Sequence, residues 1–219
     1  MTSLSGEWKL VNGGSTPVGT EKWRLDETAT TLSYNSVIMK KTPFPHKEEL
    51  HVTVAARSWE TQKIEISSAP DNPAEQPSER FEGTRKNGSF EIATSHGDNK
   101  EHTSIAVSDS TEFDYLSPIF NTVTFHRLRL RRRETREIET LYIFPVSQTE
   151  SFRTRIVEQR YQRLDDEPLS VPAGRFPQAK LYVYKNLVTG WTGNIWTDNL
   201  ETVLRYEKFC ELLSYHHAR

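Results

Sequence analysis

Four segments near the C-terminal end decide the predicted fold: Val171-Pro-Ala-Gly-Arg-Phe176, Lys180-Leu-Tyr-Val-Tyr184, Gly190-Trp-Thr-Gly-Asn-Ile-Trp-Thr-Asp198 and Val203-Leu-Arg-Tyr-Glu207. Each is short, rich in β-branched and aromatic residues, and separated from the next by Gly, Pro, Asn or Asp. This composition is typical of strands joined by tight turns in an antiparallel meander. Because the strands carry many Trp and Tyr residues, we expect the sheet to curl around apolar material.

Further strands are predicted along the whole chain, at residues 6–11, 20–25, 32–38, 50–56, 63–66, 81–84, 89–93, 103–107, 139–144 and 155–164. The sequence Lys86-Asn-Gly88 is a good hairpin turn. Residues 69–78 hold three prolines and little apolar mass, which predicts an exposed loop. Strand patterns resume directly after this loop, so we interpret residues 1–219 as a single domain.

One helix is expected near residues 116–127. Apolar side chains recur there at helical spacing, Ser117 can cap the first turn, and Pro118 fits the first helical position. The predicted fold is therefore all-β with one or two short helices. We expect a single curved antiparallel sheet that forms an open or half β-barrel, with the helix covering one end. Residues 199–217 fit either a strand or a helix.

Composition limits the classes of function. The chain has 219 residues, 11% of them aromatic, and a net charge of −2, so nothing draws it broadly to nucleic acid or to anionic membranes. Its one cysteine, Cys210, excludes an internal disulfide framework. The sequence shows neither a signal-peptide pattern nor an apolar run of membrane-spanning length, which favours the cytoplasm. Nucleotide-binding loops and metal-ligand spacings are missing, so we expect no cofactor and no metal.

The C-terminal block resembles the lipoprotein-carrier superfamily, whose members are half-barrels folded around a hydrophobic ligand. It is similar to an uncharacterised branch with a Val-Pro-Ala-Gly-x-Phe turn, here Val171 to Phe176, followed by strands at 179–184, Ile195-Trp196 and 203–207. The resemblance covers about the last 60 residues. It implies a half-barrel with a hydrophobic ligand. Cytosolic proteins of similar shape, including a violacein-pathway enzyme, catalyse rearrangements without a cofactor, so the resemblance implies either a binder or an enzyme.

Glu21 is the sharpest single candidate for acid/base chemistry. On a strand it shares one face with Trp23 and Leu25, so it points inward if they do. A carboxylate among apolar side chains has a raised pKa, which suits a general acid or base. The alternative is a Glu at the barrel mouth that is paired with an Arg or hydrated.

Asp114, Tyr115 and His126 form the second candidate group, because they flank the expected helix. Histidine exchanges protons near neutral pH, and Tyr can donate a hydrogen bond to a ligand. The structural alternative is that Asp114 caps the helix, Tyr115 packs in the core and His126 lies on the surface.

The run Arg127-Leu-Arg-Leu-Arg-Arg-Arg133 is interpreted as a strand with Arg127, Arg129, Arg131 and Arg133 on one solvated face. Acidic neighbours such as Glu134 would pair with it. The alternative is a clamp for an anionic group of a ligand.

Three functions remain open. The first is a cytosolic module that holds a hydrophobic small molecule in the concave face; its expected contacts are Trp8, Trp23, Tyr34 and Trp196, with Arg127 and Arg129 meeting an acidic head group. The second is a cofactor-independent cyclase, isomerase or similar enzyme of secondary metabolism, with acid/base residues Glu21, Asp114, Tyr115 and His126. The third is a protein-interaction domain. We expect no nucleic-acid partner.

Overall fold

The computed structural model describes residues 3–13, 16–41, 45–71, 77–144 and 152–218, which form sixteen strands and one helix. In chain order these are β1 (Ser3–Asn12), β2 (Thr16–Glu27), β3 (Thr31–Lys40), β4 (His46–Ala55), β5 (Thr61–Pro70), β6 (Glu79–Lys86), β7 (Ser89–His96), β8 (Asn99–Ala106), β9 (Glu112–Asp114), α1 (Pro118–Leu128), β10 (Thr135–Phe144), β11 (Arg153–Arg163), β12 (Glu167–Val171), β13 (Gly174–Asn186), β14 (Thr192–Thr197), β15 (Val203–Tyr206) and β16 (Cys210–Ala218).

All strands belong to one sheet in the order β8-β7-β6-β5-β4-β3-β2-β1-β16-β15-β14-β13-β11-β10-β9, with β12 paired to β13 beside this path. Neighbours are antiparallel except β9 and β10, which are parallel. The two end strands, β8 and β9, do not pair with each other, so the sheet is open. The predicted all-β fold with one curved sheet and an open barrel is confirmed. Pairing of β1 with β16 joins the first eight strands to the C-terminal strands.

Alternating side chains place an apolar layer on the concave face. On β2 the residues Glu21, Trp23 and Leu25 are buried, whereas Lys22 and Arg24 between them are exposed. The same alternation runs through β3, β4 and β11. The predicted inward direction of Glu21 is therefore confirmed.

The helix α1 begins where the sequence predicts. The Ser117 hydroxyl accepts a hydrogen bond from the Ile119 amide, Pro118 follows it, and Arg129 ends the helix in the left-handed conformation with φ 45°. Nearly all of its side chains are buried, including Asn121, Thr122 and Thr124. The helix therefore lies inside the curved sheet, and does not merely cover one end of it.

The expected strand over the arginine run is wrong. Arg127 belongs to α1, Arg129 is its C-terminal cap, and Arg133 has φ 65° in a turn before β10. A helix needs a residue after its last turn that reverses the chain, and the positive φ of Arg129 supplies it. Arg132 and Arg133 pair with Asp166 and Asp165 of the turn after β11. The four arginines consequently share no face.

Two other expectations concern the loop at 69–78 and the segment at 199–217. Strand β5 extends to Pro70, into the expected loop, and residues 72–76 lie outside the described part of the chain. Residues 203–218 form the strands β15 and β16, joined by a turn in which Lys208 has φ 63°. The strand interpretation of this segment is therefore correct.

Close strand pairing at Gly19 supplies a first prediction. A Cβ atom at this position would lie 2.2 Å from the Met39 carbonyl oxygen of β3. We expect Gly19→Ala to lower the free energy of unfolding by about 1–3 kcal/mol, because backbone atoms must separate to admit the methyl group. Urea denaturation measures this. Thr20→Ala, one residue further on the opposite face, is the control, and an equal loss in the two variants would contradict the explanation.

Candidate functional site

Two cavities among the described residues are lined in part by α1. The larger has a volume of about 620 Å³ and the smaller about 300 Å³, and they share no lining residue. Asn121 lines the larger cavity, whereas Thr122, the next residue of α1, lines the smaller. Two separate sites therefore result from one helix placed in the concave face.

Aromatic rings form one wall of the larger cavity. Trp191 lies 5.4 Å from Tyr184 and 5.6 Å from Tyr206 between ring centroids. Gly190, with φ 74°, turns the chain into β14, and a Cβ atom on Gly193 would come within 2.8 Å of the Trp191 ring. The two glycines therefore let this ring lie against the sheet. Trp191 is 40% exposed, so its ring is open to a ligand.

Polar groups line the same cavity. They are Asp114, Asn121, Arg155, Asn186, Thr189 and Lys208. Gln159 donates a 2.8 Å hydrogen bond to Oδ2 of Asp114. Burial raises the pKa of the Asp114 carboxyl to about 6, although the bond from Gln159 acts to lower it. Asp114 can therefore accept hydrogen bonds from hydroxyl groups when ionised, or exchange a proton near neutral pH.

Tyr115 also lines the larger cavity, but its hydroxyl is used elsewhere. It donates to Oε2 of Glu48 at 2.9 Å, and Lys40 and His46 bind the other oxygen of that carboxylate. Burial raises the pKa of Tyr115 well above its ordinary value. Although burial acts to raise the pKa of Glu48, His46 and Lys40 hold it at about 2. Tyr115 therefore ties the start of α1 to β4.

Glu21 lines neither cavity. It is fully buried, and Ser117 donates a 2.6 Å hydrogen bond to its Oε1. Burial raises the pKa of the Glu21 carboxyl to about 7, against the lowering effect of Ser117. The other oxygen, Oε2, has no hydrogen-bond partner among the described residues. In this position Glu21 holds the N-terminus of α1 onto β2.

The smaller cavity collects most of the aromatic residues expected to bind a ligand. Trp8 and Trp23 stack with their ring centroids 4.9 Å apart, and Tyr34 lies beside them in the lining. His126 stacks on Trp59 at 3.5 Å. Burial lowers the pKa of His126 to about 4, so its ring is neutral at pH 7. The predicted acid/base residues are thus not brought together: Asp114 and Tyr115 line one cavity, His126 lines the other, and Glu21 lines neither.

Three residues expected to bind a ligand line neither cavity. Arg127 pairs with Glu112 at 3.1 Å, and the exposed Arg129 side chain donates to the carbonyl oxygen of His126. Trp196 alternates with the buried Ile195 and Thr197, lies on the convex face and donates to Glu167. A strand of known register puts neighbouring residues on opposite faces, which is why Trp196 points outward.

Sequence reasoning missed Trp191, Tyr206 and Arg155 as site residues. The signal for Trp191 is its place between Gly190 and Gly193, since two glycines beside a Trp leave room for an open ring. Arg155 gave no local signal; its guanidinium lies 5.8 Å from the Tyr142 ring across the pairing of β10 with β11.

Within the described ranges, no three His, Cys, Asp or Glu side chains cluster closely enough to hold a metal ion. The helix in the same ranges is too short to cross a membrane.

The fold defines a β-barrel-like protein with internal cavities. Two solved structures show the same fold. A DUF1089-family protein from Pseudomonas aeruginosa has a TM-score of 0.57 and 17% identity, and the match covers 88% of this chain and 91% of that one. A β-barrel-like DUF1849 protein from Brucella abortus has a TM-score of 0.51 and 8% identity, and the match covers 99% of this chain and 97% of that one. No curated protein matches the sequence.

The family is shown by a family model described as "Putative glycolipid-binding", which matches residues 9–190. Because the match spans most of the chain, the protein belongs to this family. A barrel-like fold for a lipid-like ligand agrees with the coarse part of the sequence interpretation. The relationship to lipoprotein carriers, which rests on the C-terminal residues, stays a prediction.

The raised pKa of Glu21 predicts a pH-dependent stability. At pH values below 4.5, the ordinary pKa of this group, the carboxyl is protonated in both the folded and the unfolded chain, so its titration does not lower the stability. Between pH 4.5 and about 7 the unfolded chain releases the proton while the folded chain keeps it, so stability falls with rising pH, by about 3 kcal/mol in total. The Glu21→Gln variant has no carboxyl at this position and therefore does not lose stability in this way. We expect its free energy of unfolding, compared with that of wild type at the same pH, to be more favourable at pH 8 than at pH 5; urea unfolding measures both.

The control is Thr20→Ala, next to Glu21 on the outer face of β2. It removes no titratable group, so it should change stability by the same amount at both pH values. If Glu21→Gln also shows the same difference from wild type at pH 5 and pH 8, the buried carboxyl does not titrate as described.

Proposed function

We propose that the protein binds a glycolipid, or a similar amphipathic molecule with a sugar head, in the larger cavity. The observation that carries the proposal is the joint lining of this cavity by open aromatic rings and hydrogen-bonding side chains. Membership of the glycolipid-binding family supports a lipid-like ligand. The volume of about 620 Å³ lies in the range of small-molecule sites.

The chemistry of a sugar fits the two kinds of lining group. A sugar ring carries C–H groups on its faces and hydroxyl groups at its edge. The faces of Trp191, Tyr184 and Tyr206 suit the C–H groups, because aromatic rings give large apolar contact. Asp114 and Asn121 suit the hydroxyl groups, because a carboxylate accepts and an amide both donates and accepts hydrogen bonds.

Positive charge near the cavity extends the possible head groups. Arg155 and Lys208 both line it, and the Arg155 guanidinium also lies 5.3 Å from the Phe144 ring centroid. Contact with aromatic faces fixes the guanidinium in place. An acidic group on the ligand would therefore meet Arg155 and Lys208, and not Arg127 and Arg129 as the sequence suggests.

Alkyl glycosides test the proposal. We expect octyl glucoside, below its micelle concentration, to bind more tightly than octanol in calorimetric titrations, because only the glucoside has a ring for the aromatic wall. Trp191→Ala should weaken glucoside binding by about tenfold or more, the usual effect of losing a central aromatic contact.

Trp196→Ala is the matched control, because this Trp lies on the convex face. It should leave glucoside binding unchanged. Equal weakening by the two substitutions, or equal affinity of wild type for the glucoside and for octanol, would show that the sugar does not contact the Trp191 wall.

One observation favours a second candidate function, a cofactor-independent enzyme. Asp114 is a titratable carboxyl on the wall of the larger cavity, and its pKa of about 6 suits proton transfer. Native mass spectrometry of the purified protein identifies any small molecule that co-purifies with it, and this compound or its expected precursor is then incubated with the protein. Enzymatic activity predicts that wild type converts the compound into a product that separates from it by chromatography, even where the two are isomers of equal mass, and that Asp114→Asn does not. An unchanged ligand in both samples supports binding alone.

A further inference from the structure

Two residues that line the smaller cavity each carry a buried polar group without a hydrogen-bond partner among the described residues. The groups are the indole Nε1–H of Trp23 and the hydroxyl of Thr122. The two residues are 4% and 3% exposed. The Thr122 hydroxyl does not even bind the preceding turn of its own helix, which is the common partner of a buried helical Thr.

The neighbouring Trp8 shows that the N–H of an indole in this wall can find a hydrogen-bond acceptor within the protein. Its ring stacks on Trp23, and its Nε1 donates a 2.8 Å hydrogen bond to the carbonyl oxygen of Val203. A buried donor without a partner is unfavourable, and in native proteins such groups bind protein atoms, water or a ligand. The unpaired groups of Trp23 and Thr122 therefore point to a molecule that occupies the cavity.

The lining limits the chemistry of that molecule. The indole of Trp23 can only donate, so the molecule must carry an acceptor. Leu25, Leu32 and Trp59 are among the walls, so the rest of it must be apolar. The described lining residues include neither Lys nor Arg, His126 is neutral at pH 7, and Glu27 already contributes a carboxyl group, so the lining disfavours a carboxylate on the ligand.

We propose that the smaller cavity is a second binding site, separate from the larger cavity, for an uncharged apolar molecule that carries a carbonyl oxygen. The oxygen accepts hydrogen bonds from Trp23 Nε1–H and from the Thr122 hydroxyl. Ketones, aldehydes and esters belong to this class. The volume of about 300 Å³ admits a molecule the size of a substituted aromatic ring or a medium-length chain. Leu200, 45% exposed, and His217, also exposed, lie at the cavity edge and mark its opening.

Acetophenone and ethylbenzene test this site, because they differ only by a carbonyl group in place of a methylene. In ¹H–¹⁵N spectra the Trp23 indole resonance, assigned by its loss in Trp23→Phe, should shift with acetophenone and respond far less to ethylbenzene. Calorimetry should show tighter binding of acetophenone, and Thr122→Val should reduce that preference by about three- to tenfold.

The matched control is Thr124→Val, the same substitution on α1 at a residue that lines neither cavity. It should leave acetophenone binding unchanged. Without ligand, Thr122→Val should unfold at a temperature equal to or above that of wild type, because it removes an unpaired buried hydroxyl; this separates lost binding from lost folding. Acetophenone should still bind to Trp191→Ala, because that substitution alters only the larger cavity.

Several outcomes would overturn the proposal. They are equal binding of acetophenone and ethylbenzene, equal loss of binding in Thr122→Val and Thr124→Val, and an ordered water that bridges Trp23 and Thr122 and stays in place when acetophenone is added. Unchanged octyl glucoside binding in Trp191→Ala would count against the larger cavity alone, so the two proposals fail independently.

Discussion

The space enclosed by the sheet is the constraint on which the rest of the structure depends. A closed barrel of about eight strands is just wide enough for its own side chains to fill it, whereas this sheet has fifteen strands along its main path. The concave face therefore needs additional mass, and α1 supplies it with nine buried side chains. Phe125 stacks on Tyr182 of β13 with ring centroids 4.0 Å apart, and Ser117 binds Glu21 of β2. The helix thus connects both halves of the sheet from inside.

The helix does not fill that space completely, and two separate cavities lie against it. The polar groups of α1 follow this division. Asn121 faces the larger cavity, where it donates to the Tyr161 hydroxyl, and Thr122 faces the smaller without a partner. A helix packed wholly against apolar walls would favour apolar residues at both positions. Their presence is understandable if the two sides of α1 contact ligands of different polarity.

The fold was largely predictable from local patterns, and the site was not. Alternation fixed the inward direction of Glu21 and Trp23, and Ser117-Pro118 marked the start of the helix. The arginine run misled because alternating Arg and Leu fit a strand, while the need to end α1 decided the conformation of Arg129. The residue type of Trp196 suggests a ligand contact, but the register of β14 turns it to the convex face. The sequence thus shows that aromatic and polar residues are available for a site, but it does not show which of them line the same cavity.

The sequence by itself determined an antiparallel, open, barrel-like sheet with one helix, because strand alternation, turn residues and helix caps act over a few neighbouring positions. The tertiary structure alone decided that the helix lies inside the sheet, and that Trp191 with Asp114 faces one cavity and Trp23 with Thr122 the other. It also decided that Glu21 acts as an anchor for α1 and lines no cavity. These groupings bring together residues that are far apart in the chain, 96 positions for Glu21 and Ser117, and the pairing of strands across the whole sheet sets them.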